Sequence, residues 1–249
     1  MASRCSTTDG ERDPRLRRRW IRWTCWVLVA LVAVVGGPLG LLIRSATGKH
    51  RAVLALRERG AAVGYRGEDQ LPPRQPEHQL ERDALLKDLL VEVSLVDLGD
   101  TDVGDADLAW LSNFPSLETL VLRNTRVTDA GLKCLQWLSK LKYLDLHGTH
   151  TSDVTLVFIG READLQDLDL GETQITDGGL VHLSQLSRLR SLDLTGTHVT
   201  DAGLARLASL NQLQWLGIEG TRIAAADLDT WAKQHPQTVL SRGQGDVRK

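Results

Sequence analysis

Carboxylates recur in this sequence at a constant interval of 24 residues. Asp145, Asp169 and Asp193 each stand between two leucines in the tripeptide LDL. If the intervening chain returns to the same place each time, the three charges stack, and like charges at strand spacing repel. A cation or a basic partner would relieve that repulsion. Three interpretations are open. The aspartates could form a docking site for a basic protein surface, they could form a metal site, or they could be solvated residues of the repeat pattern without a binding role.

Other chemistry has little support in the sequence. We find no GxSxG, HExxH, P-loop or GxGxxG motif. Cys5, Cys25 and Cys134 are far apart, without the spacing of a disulfide framework or a zinc site. His147 and His150 could join Asp145 around a metal, but exposed histidines explain them more simply. We therefore expect no enzyme, no cofactor and no metal.

The net charge of -2 conceals a division along the 249 residues. Residues 1–60 contain 12 Lys and Arg against 4 Asp and Glu, whereas the remainder contains 18 against 28. An acidic body is a poor partner for nucleic acid, whose phosphates need basic side chains. We expect no nucleic-acid binding.

An uncharged segment of 21 residues, 23–43 (WTCWVLVALVAVVGGPLGLLI), follows the basic start of the chain. About 20 apolar residues suffice for a helix to cross a bilayer. Trp20, Trp23 and Trp26 stand where an aromatic belt would lie. We predict a transmembrane helix at 23–43, preceded by a basic cytoplasmic N-terminus, 1–22.

Two alternatives to this signal anchor are a cleaved signal peptide and a buried core helix. A cut after Ala46 would place Arg44 at a site that requires a small residue. The denser basic residues before the segment favour a single-pass protein with its N-terminus in the cytoplasm and its body outside it. Gly36 and Gly40 form a GxxxG pair that a homodimer of this helix could use.

The region after the anchor is predicted to be a linker, 44–79, because it contains a proline-rich stretch without apolar periodicity. Within it, 49–59 has a helical pattern and 60–65 resembles a short strand. Residues 80–92 are predicted to form a capping helix and the entry to the body, since four leucines share one helical face. The tail, 241–249, is expected to be disordered.

The body is a tandem repeat of six units without insertions. The units begin at Val93, Leu117, Leu141, Leu165, Leu189 and Leu213, with the consensus LxxLxLxxTx(V/I)TDxGLxxLxxL. Pairs such as Leu120 and Leu122 alternate as in a strand, and we expect neighbouring strands to pair in parallel, about 4.8 Å apart. Since no unit can bury its apolar face alone, the units must stack.

Polar positions of the repeat also have predicted roles. The ninth residue is always Thr, whose hydroxyl can satisfy turn backbone groups and, when stacked, would form a hydrogen-bonding ladder. The later Thr or Ser, as in Thr200, suits a helix N-cap. The Asp that follows it, as in Asp201, suits the positive end of the helix dipole.

This pattern resembles the leucine-rich repeat family, in particular bacterial variants with LxxLxLxxTxITDxGL units. The membrane-anchored arrangement is similar to planctomycete leucine-rich proteins. The resemblance implies an α/β solenoid, a horseshoe segment of about six units over 93–240, with parallel strands on the concave face and short helices or turns outside. The last unit departs from the pattern, because Ala224 and Ala225 replace the Thr-Asp cap and Trp231 replaces a leucine.

In this family the third, fifth and seventh positions of each unit face the concave surface. We predict that a protein partner with a basic surface binds there, with the aromatic side chains as anchors. The predicted partner-binding residues are Arg123, Tyr143, Asp145, His147, Asp167, Asp169, Asp193 and Trp215.

The resemblance implies protein–protein recognition or scaffolding at the cell envelope. One alternative is a substrate-recruiting subunit of a ubiquitin ligase, as in F-box-type leucine-rich proteins, but this would need a separate helical adaptor-binding domain. Residues 44–92 show only helical fragments interrupted by prolines. Another alternative is a structural envelope spacer without a specific partner.

Overall fold

A computed structural model describes residues 37–66, 92–242 and 247–248, with side chains within 48–66 and 92–242. The strands are β1 (Ala62–Tyr65), β2 (Val93–Asp97), β3 (Thr119–Val121), β4 (Tyr143–Asp145), β5 (Asp167–Asp169), β6 (Ser191–Asp193), β7 (Trp215–Gly217), β8 (Val239–Ser241) and β9 (Val247–Arg248). The α-helices are α1 (Gly37–Glu58), α2 (Asp153–Ile159), α3 (Asp177–Leu180), α4 (Asp201–Arg206) and α5 (Ala225–Gln234). Short 3₁₀ helices are Asp105–Asn113, Gly131–Trp137, Val181–Gln185 and Leu207–Ser209.

The described strands form one sheet in chain order, from β1 to β9. Strands β2 to β8 are parallel, and each residue pairs with the residue 24 positions later, as Leu120 does with Leu144. This register follows from the repeat length, because a shift of one residue would turn the leucines away from the core. The predicted parallel strands and constant register are confirmed.

The core lies between the sheet and the helical segments. Leu120 and Leu122 of the strand side and Leu132 and Leu135 of the helical side are fully buried. Equivalent leucines of the other units continue this layer along the array. The core is therefore a column of leucines in which each unit covers the next.

The ninth-position threonines bond within their own unit. The Oγ1 of Thr125, for example, donates to the carbonyl oxygen of Leu122 at 2.6 Å, and that of Thr197 donates to Leu194 at 2.6 Å. These hydroxyls satisfy the turn as predicted. The prediction that they form a ladder between units is wrong, because each donates to a carbonyl three residues earlier in its own turn.

A second set of threonines and aspartates links the units instead. Oδ1 of Asp153 accepts the backbone N–H of Thr176 at 2.8 Å, and its Oδ2 accepts the Thr176 hydroxyl at 2.6 Å. The Thr176 Oγ1 in turn accepts the N–H of Gly178 at 3.2 Å, as an N-cap should. We call this repeated contact between one unit's Asp and the next unit's Thr or Ser the aspartate clamp.

The aspartate clamp explains the glycine of the TDxGL motif. A Cβ added at Gly131 would lie 2.5 Å from Oδ1 of Asp105, and one at Gly179 would lie 2.5 Å from Oδ1 of Asp153. The preceding unit's carboxylate therefore occupies the place of a side chain. The unit containing Thr155 is the exception, because the Thr155 hydroxyl donates to Asp129.

The clamp is incomplete in the last unit, and completing it should raise the stability of the domain. Asp201 accepts the backbone N–H of Ala224 at 2.7 Å, but Ala224 has no hydroxyl to donate. We expect Ala224→Thr to raise the free energy of unfolding by about 1 kcal/mol, since it adds a charge-assisted hydrogen bond and an N-cap for α5. Urea unfolding measures this gain, and Ala226→Thr within α5 is the control; equal stabilities would contradict the prediction.

The domain begins earlier than the sequence indicated. The predicted helix at 49–59 and strand at 60–65 are present as the second half of α1 and as β1. They are not part of a linker, however: Ala52, Val53 and Leu56 are buried in the leucine core, and β1 pairs antiparallel with β2. The linker prediction 44–79 is therefore wrong over 48–66. Residues 44–47 lie within α1, and 67–79 and the predicted capping helix up to residue 91 lie outside the described residues.

The predicted membrane anchor falls mostly outside the described residues. Residues 37–43 form the start of α1, which continues to Glu58, whereas 1–36 are not described. In the described part of the chain, no helix combines the length and apolarity needed to cross a membrane. The transmembrane helix at 23–43 stays a prediction.

The domain also ends later than expected. Strand β8 pairs in parallel with β7 as a seventh unit strand, and β9 pairs antiparallel with β8. Ser241, Val247 and Arg248 are thus in strands, so the prediction of a disordered tail is wrong for these residues. Trp231 replaces the leucine of earlier units and is buried, stacking on His235 with ring centroids 4.0 Å apart.

Candidate partner-binding face

The side of strands β4 to β7 that faces away from the leucine core carries the predicted acidic residues, and we call it the strand face. Asp145 pairs with Asp169 and Asp169 with Asp193, as the repeat predicted. A second row runs beside them, in the order Tyr143, Asp167, Ser191 and Trp215. Asp167 therefore lies between the two aromatic side chains that end the second row, and the three stacked aspartates run beside it.

The three stacked aspartates also terminate their strands. Oδ1 of Asp145 accepts the backbone N–H of His147 at 3.0 Å, and Oδ1 of Asp169 accepts that of Gly171 at 2.8 Å. Asp193 accepts the N–H of Thr195 in the same way at 2.8 Å. Such a contact two residues ahead is an Asx-turn. Sequence reasoning missed this role, although the recurrence of Asp before each turn was a signal for it.

Burial makes the charged forms of Asp145, Asp167 and Asp169 costly. Only 5% of Asp145 is exposed, and burial raises the pKa of its carboxyl above the usual range. The pKa of Asp169 is raised by burial and by the charges of Asp193 and Asp145. The pKa of Asp167 is raised by burial, which the charge of Arg190 partly offsets. A basic group placed on the strand face would lower this cost of ionisation.

Tyr143 and His147 flank the stacked aspartates. Burial raises the pKa of the Tyr143 hydroxyl, and the neighbouring charges of Asp145, Asp169 and Asp167 add to the shift. Nδ1 of His147 lies 3.7 Å from Oδ1 of Asp169. Both side chains can therefore donate or stack toward a ligand at the carboxylates.

Arg123 is separated from this group by its own ion pair. Its Nε lies 3.2 Å from Oδ2 of Asp100, at the rim of the sheet. Its charge lowers the pKa of Asp145, although burial has the larger, opposite effect. Arg123 thus marks the boundary of the acidic surface, and the structure does not place it among the anchoring side chains.

Gly217 is a feature of the strand face that sequence reasoning missed. A Cβ at this position would lie 2.6 Å from the Cη2 atom of Trp215. The missing side chain therefore leaves room for the indole ring on the fifth-position row, next to Asp193. The break in the LDL pattern at this unit, LGI instead of LDL, was the available signal.

A family model described as Leucine Rich repeat matches residues 115–135, 163–184 and 186–208. These are parts of three of the units whose 24-residue register the sheet displays. The chain is a leucine-rich repeat protein. No match was found among the curated proteins.

Solved structures of other leucine-rich repeat proteins are similar to this chain. Internalin C2 of Listeria monocytogenes is 21% identical with a TM-score of 0.45, and the match covers 63% of this chain and 72% of that one. An internalin of the same species, inlF, is 18% identical with a TM-score of 0.39, covering 61% of this chain. The match spans about half of inlF, 54% of its chain.

The described part of this leucine-rich repeat protein contains neither a metal-binding cluster nor a reactive thiol. In residues 48–66 and 92–242, no group of three or more His, Cys, Asp or Glu side chains could hold a metal ion. Burial raises the pKa of the Cys134 thiol to about 12, so it is protonated at neutral pH and a poor nucleophile. Of the three interpretations of the stacked aspartates, docking of a basic partner is the one that we carry forward.

Proposed function

We propose that this leucine-rich repeat protein is a recognition module, not an enzyme, that binds a basic protein surface through its strand face. Leucine-rich repeat domains typically act in protein–protein interaction. The observation that carries the proposal is the in-register stack of Asp145, Asp169 and Asp193, with Asp167 beside it between Tyr143 and Trp215.

Electrostatics supports a basic partner. Neighbouring carboxylates raise one another's cost of ionisation, and an incoming Lys or Arg removes that cost as it binds. The aromatic side chains at the ends of the second row supply apolar area and a ring face for a cation. Such a partner would be held by charge pairs in the centre and by stacking at the ends.

The site of action that we propose is the cell envelope. The support is the uncharged segment 23–43 with arginines before it, which would hold the domain at a membrane and outside the cytoplasm. The module would then act as a tethered receptor or scaffold. The tether would also raise the local concentration of the domain for partners at the same surface.

A change of charge that preserves the turns tests the proposal. In the variant Asp145→Asn, Asp169→Asn and Asp193→Asn, each amide keeps an Oδ1 that can accept the turn N–H, whereas lysine would break the turn. We expect the full chain in detergent to capture specific proteins from envelope extract, and the triple variant to retain them about tenfold less. Capture should also fall as the pH is lowered and the aspartates with raised pKa values become protonated.

The matched control removes three carboxylates that lie off the strand face. Asp102→Asn, Asp164→Asn and Asp227→Asn change the net charge equally but leave the stacked aspartates in place. Quantitative mass spectrometry of the captured proteins compares the three chains. If the triple strand-face variant captures the same proteins as the native chain, or if the control loses them equally, the strand face is not the recognition surface.

A further inference from the structure

Trp215 and Asp193 meet on the strand face at a place where a side chain is missing. Strand β7 carries Gly217 where β4, β5 and β6 each carry one of the stacked aspartates. A Cβ at Gly217 would lie 2.6 Å from Cη2 of Trp215 and would clash with Oδ1 of Asp193. The far end of the indole ring and the carboxylate therefore approach each other over the glycine. An aspartate at this position, as in the preceding units, could not share the space with the ring.

The carboxylate of Asp193 has one oxygen available for a partner. Its Oδ1 accepts the backbone N–H of Thr195 at 2.8 Å. Among the described side chains, those within 48–66 and 92–242, no other donor reaches this carboxylate and no basic group forms an ion pair with it. Asp169, by contrast, has Nδ1 of His147 at 3.7 Å from its Oδ1. Asp193 and Trp215 are both partly exposed, so a side chain of a partner can reach Oδ2 beside the ring.

An aromatic ring beside an unpaired carboxylate favours arginine over lysine. The guanidinium group is planar and weakly hydrated, so it can stack on an indole while its N–H groups donate to a carboxylate. The lysine ammonium is compact and strongly hydrated, and it loses more hydration when it lies against a ring. Both cations would pair with Asp193, but arginine gains more from Trp215.

We propose that Trp215 and Asp193 form a subsite for one arginine side chain of the protein partner. The inference rests on the proposed function, because it specifies one residue of the basic surface that the strand face binds. The guanidinium stacks on the indole ring and donates to Oδ2 of Asp193. Gly217 leaves the space that holds the ring next to the carboxylate. Charge alone then attracts the partner along the stacked aspartates, and this subsite distinguishes one kind of basic side chain from the other.

Nuclear magnetic resonance of the ¹⁵N-labelled full chain in detergent tests this assignment. The probes are two short peptides with blocked ends, which differ only in a central arginine or lysine between glycines and serines. The backbone N–H of Thr195, which donates to Asp193, reports binding in every variant. The indole signal of Trp215, one of seven tryptophans, is identified by its loss in Trp215→Ser. We expect both signals to shift with the arginine peptide, and its dissociation constant to be about fivefold lower than that of the lysine peptide.

Two variants and a control separate the ring from the charge. Trp215→Ser removes the indole, and Gly217→Ala places a methyl group where the ring lies, so each should make the two peptides bind equally. Gly217 is buried, whereas Trp215 is partly exposed, so Trp215→Ser decides the result if Gly217→Ala does not fold. The control, Trp137→Ser, removes a tryptophan that is 59% exposed on the helical side. It should keep the preference for arginine.

The subsite and the proposed function can fail separately. Equal affinity of the native chain for both peptides, a preference that survives Trp215→Ser, or no shift of the Thr195 signal with the arginine peptide would overturn the subsite. A preference lost in the Trp137→Ser control would overturn it as well. None of these results decides whether capture depends on the stacked aspartates, which the triple asparagine variant measures independently.

Discussion

Replacing Asp129 by alanine is expected to lower the free energy of unfolding by about 3 kcal/mol, a large effect for one partly exposed side chain. Asp129 accepts the N–H of Ser152 at 2.8 Å, the Ser152 hydroxyl at 2.6 Å and the Thr155 hydroxyl at 2.5 Å. Thr155 is fully buried, so its hydroxyl would lose its partner without access to water. Urea unfolding followed by circular dichroism measures the loss.

Two further variants calibrate the Asp129 result. Asp129→Asn keeps one acceptor oxygen and should lose only about 1 kcal/mol, because the amide can donate to the Ser152 hydroxyl. Asp164→Ala breaks the exposed ion pair with Arg188 and should cost less than about 0.5 kcal/mol. If Asp129→Ala is no more destabilising than Asp164→Ala, the aspartate clamp does not hold the units together.

The contribution of the Asp129 clamp to the free energy of unfolding should also depend on pH. Burial alone would raise the pKa of Asp129, but the hydrogen bonds from Ser152 and Thr155 outweigh it and lower the pKa below the ordinary value of 3.8. A carboxyl with a lowered pKa stabilises the folded state above its unfolded pKa. That contribution is lost as the pH falls through the folded pKa. The difference in stability between the native chain and Asp129→Asn should therefore shrink below about pH 4.

Glu162→Leu is expected to have the opposite effect and to stabilise the domain by about 2 kcal/mol at pH 8. Glu162 occupies the position at which other units carry Leu138, Leu186 and Leu210. It is 5% exposed, and burial raises the pKa of its carboxyl to about 7. A leucine would restore the apolar column and remove a buried charge.

The pH dependence of stability distinguishes the effect of the Glu162 charge from the effect of its shape. Because the folded pKa is raised, the native chain gains stability as the pH falls from about 8 to about 5, where the carboxyl becomes protonated. Glu162→Gln lacks this proton and should show a smaller gain over the same range. Asp145, Asp167 and Asp169 contribute a gain of the same sign in both chains, so only the difference reports on Glu162. An unchanged pH profile in Glu162→Gln, or a loss of stability in Glu162→Leu, would contradict this account.

The sequence predicted those parts of the fold that depend on periodicity. A spacing of 24 residues without insertions determines the register of Asp145, Asp169 and Asp193, and leucines at strand and helix spacing determine which sides are buried. The aspartate clamp was not predicted, because its hydrogen bonds join residues 23 apart in different units. Pattern alone assigned Asp153 to its own helix dipole, whereas geometry assigns its oxygens to Thr176.

The ends of the domain were predicted poorly for a related reason. Strand β1 and helix α1 do not follow the repeat, so no period identified Val53 or Leu56 as core residues. The strand face shows the same limit: the stacking of the aspartates was predictable, but their Asx-turns and the space at Gly217 depend on local backbone geometry.

The antiparallel strands at the two edges of the sheet have a consequence for how this chain can change in length. Strands β1 and β9 run against the direction of the seven unit strands, β2 to β8. The strand edges with which a further parallel unit would pair are therefore already occupied. Duplication or deletion of one 24-residue unit inside the array leaves both ends and the register intact. Unequal recombination between units would thus lengthen or shorten the strand face without disturbing the capping strands.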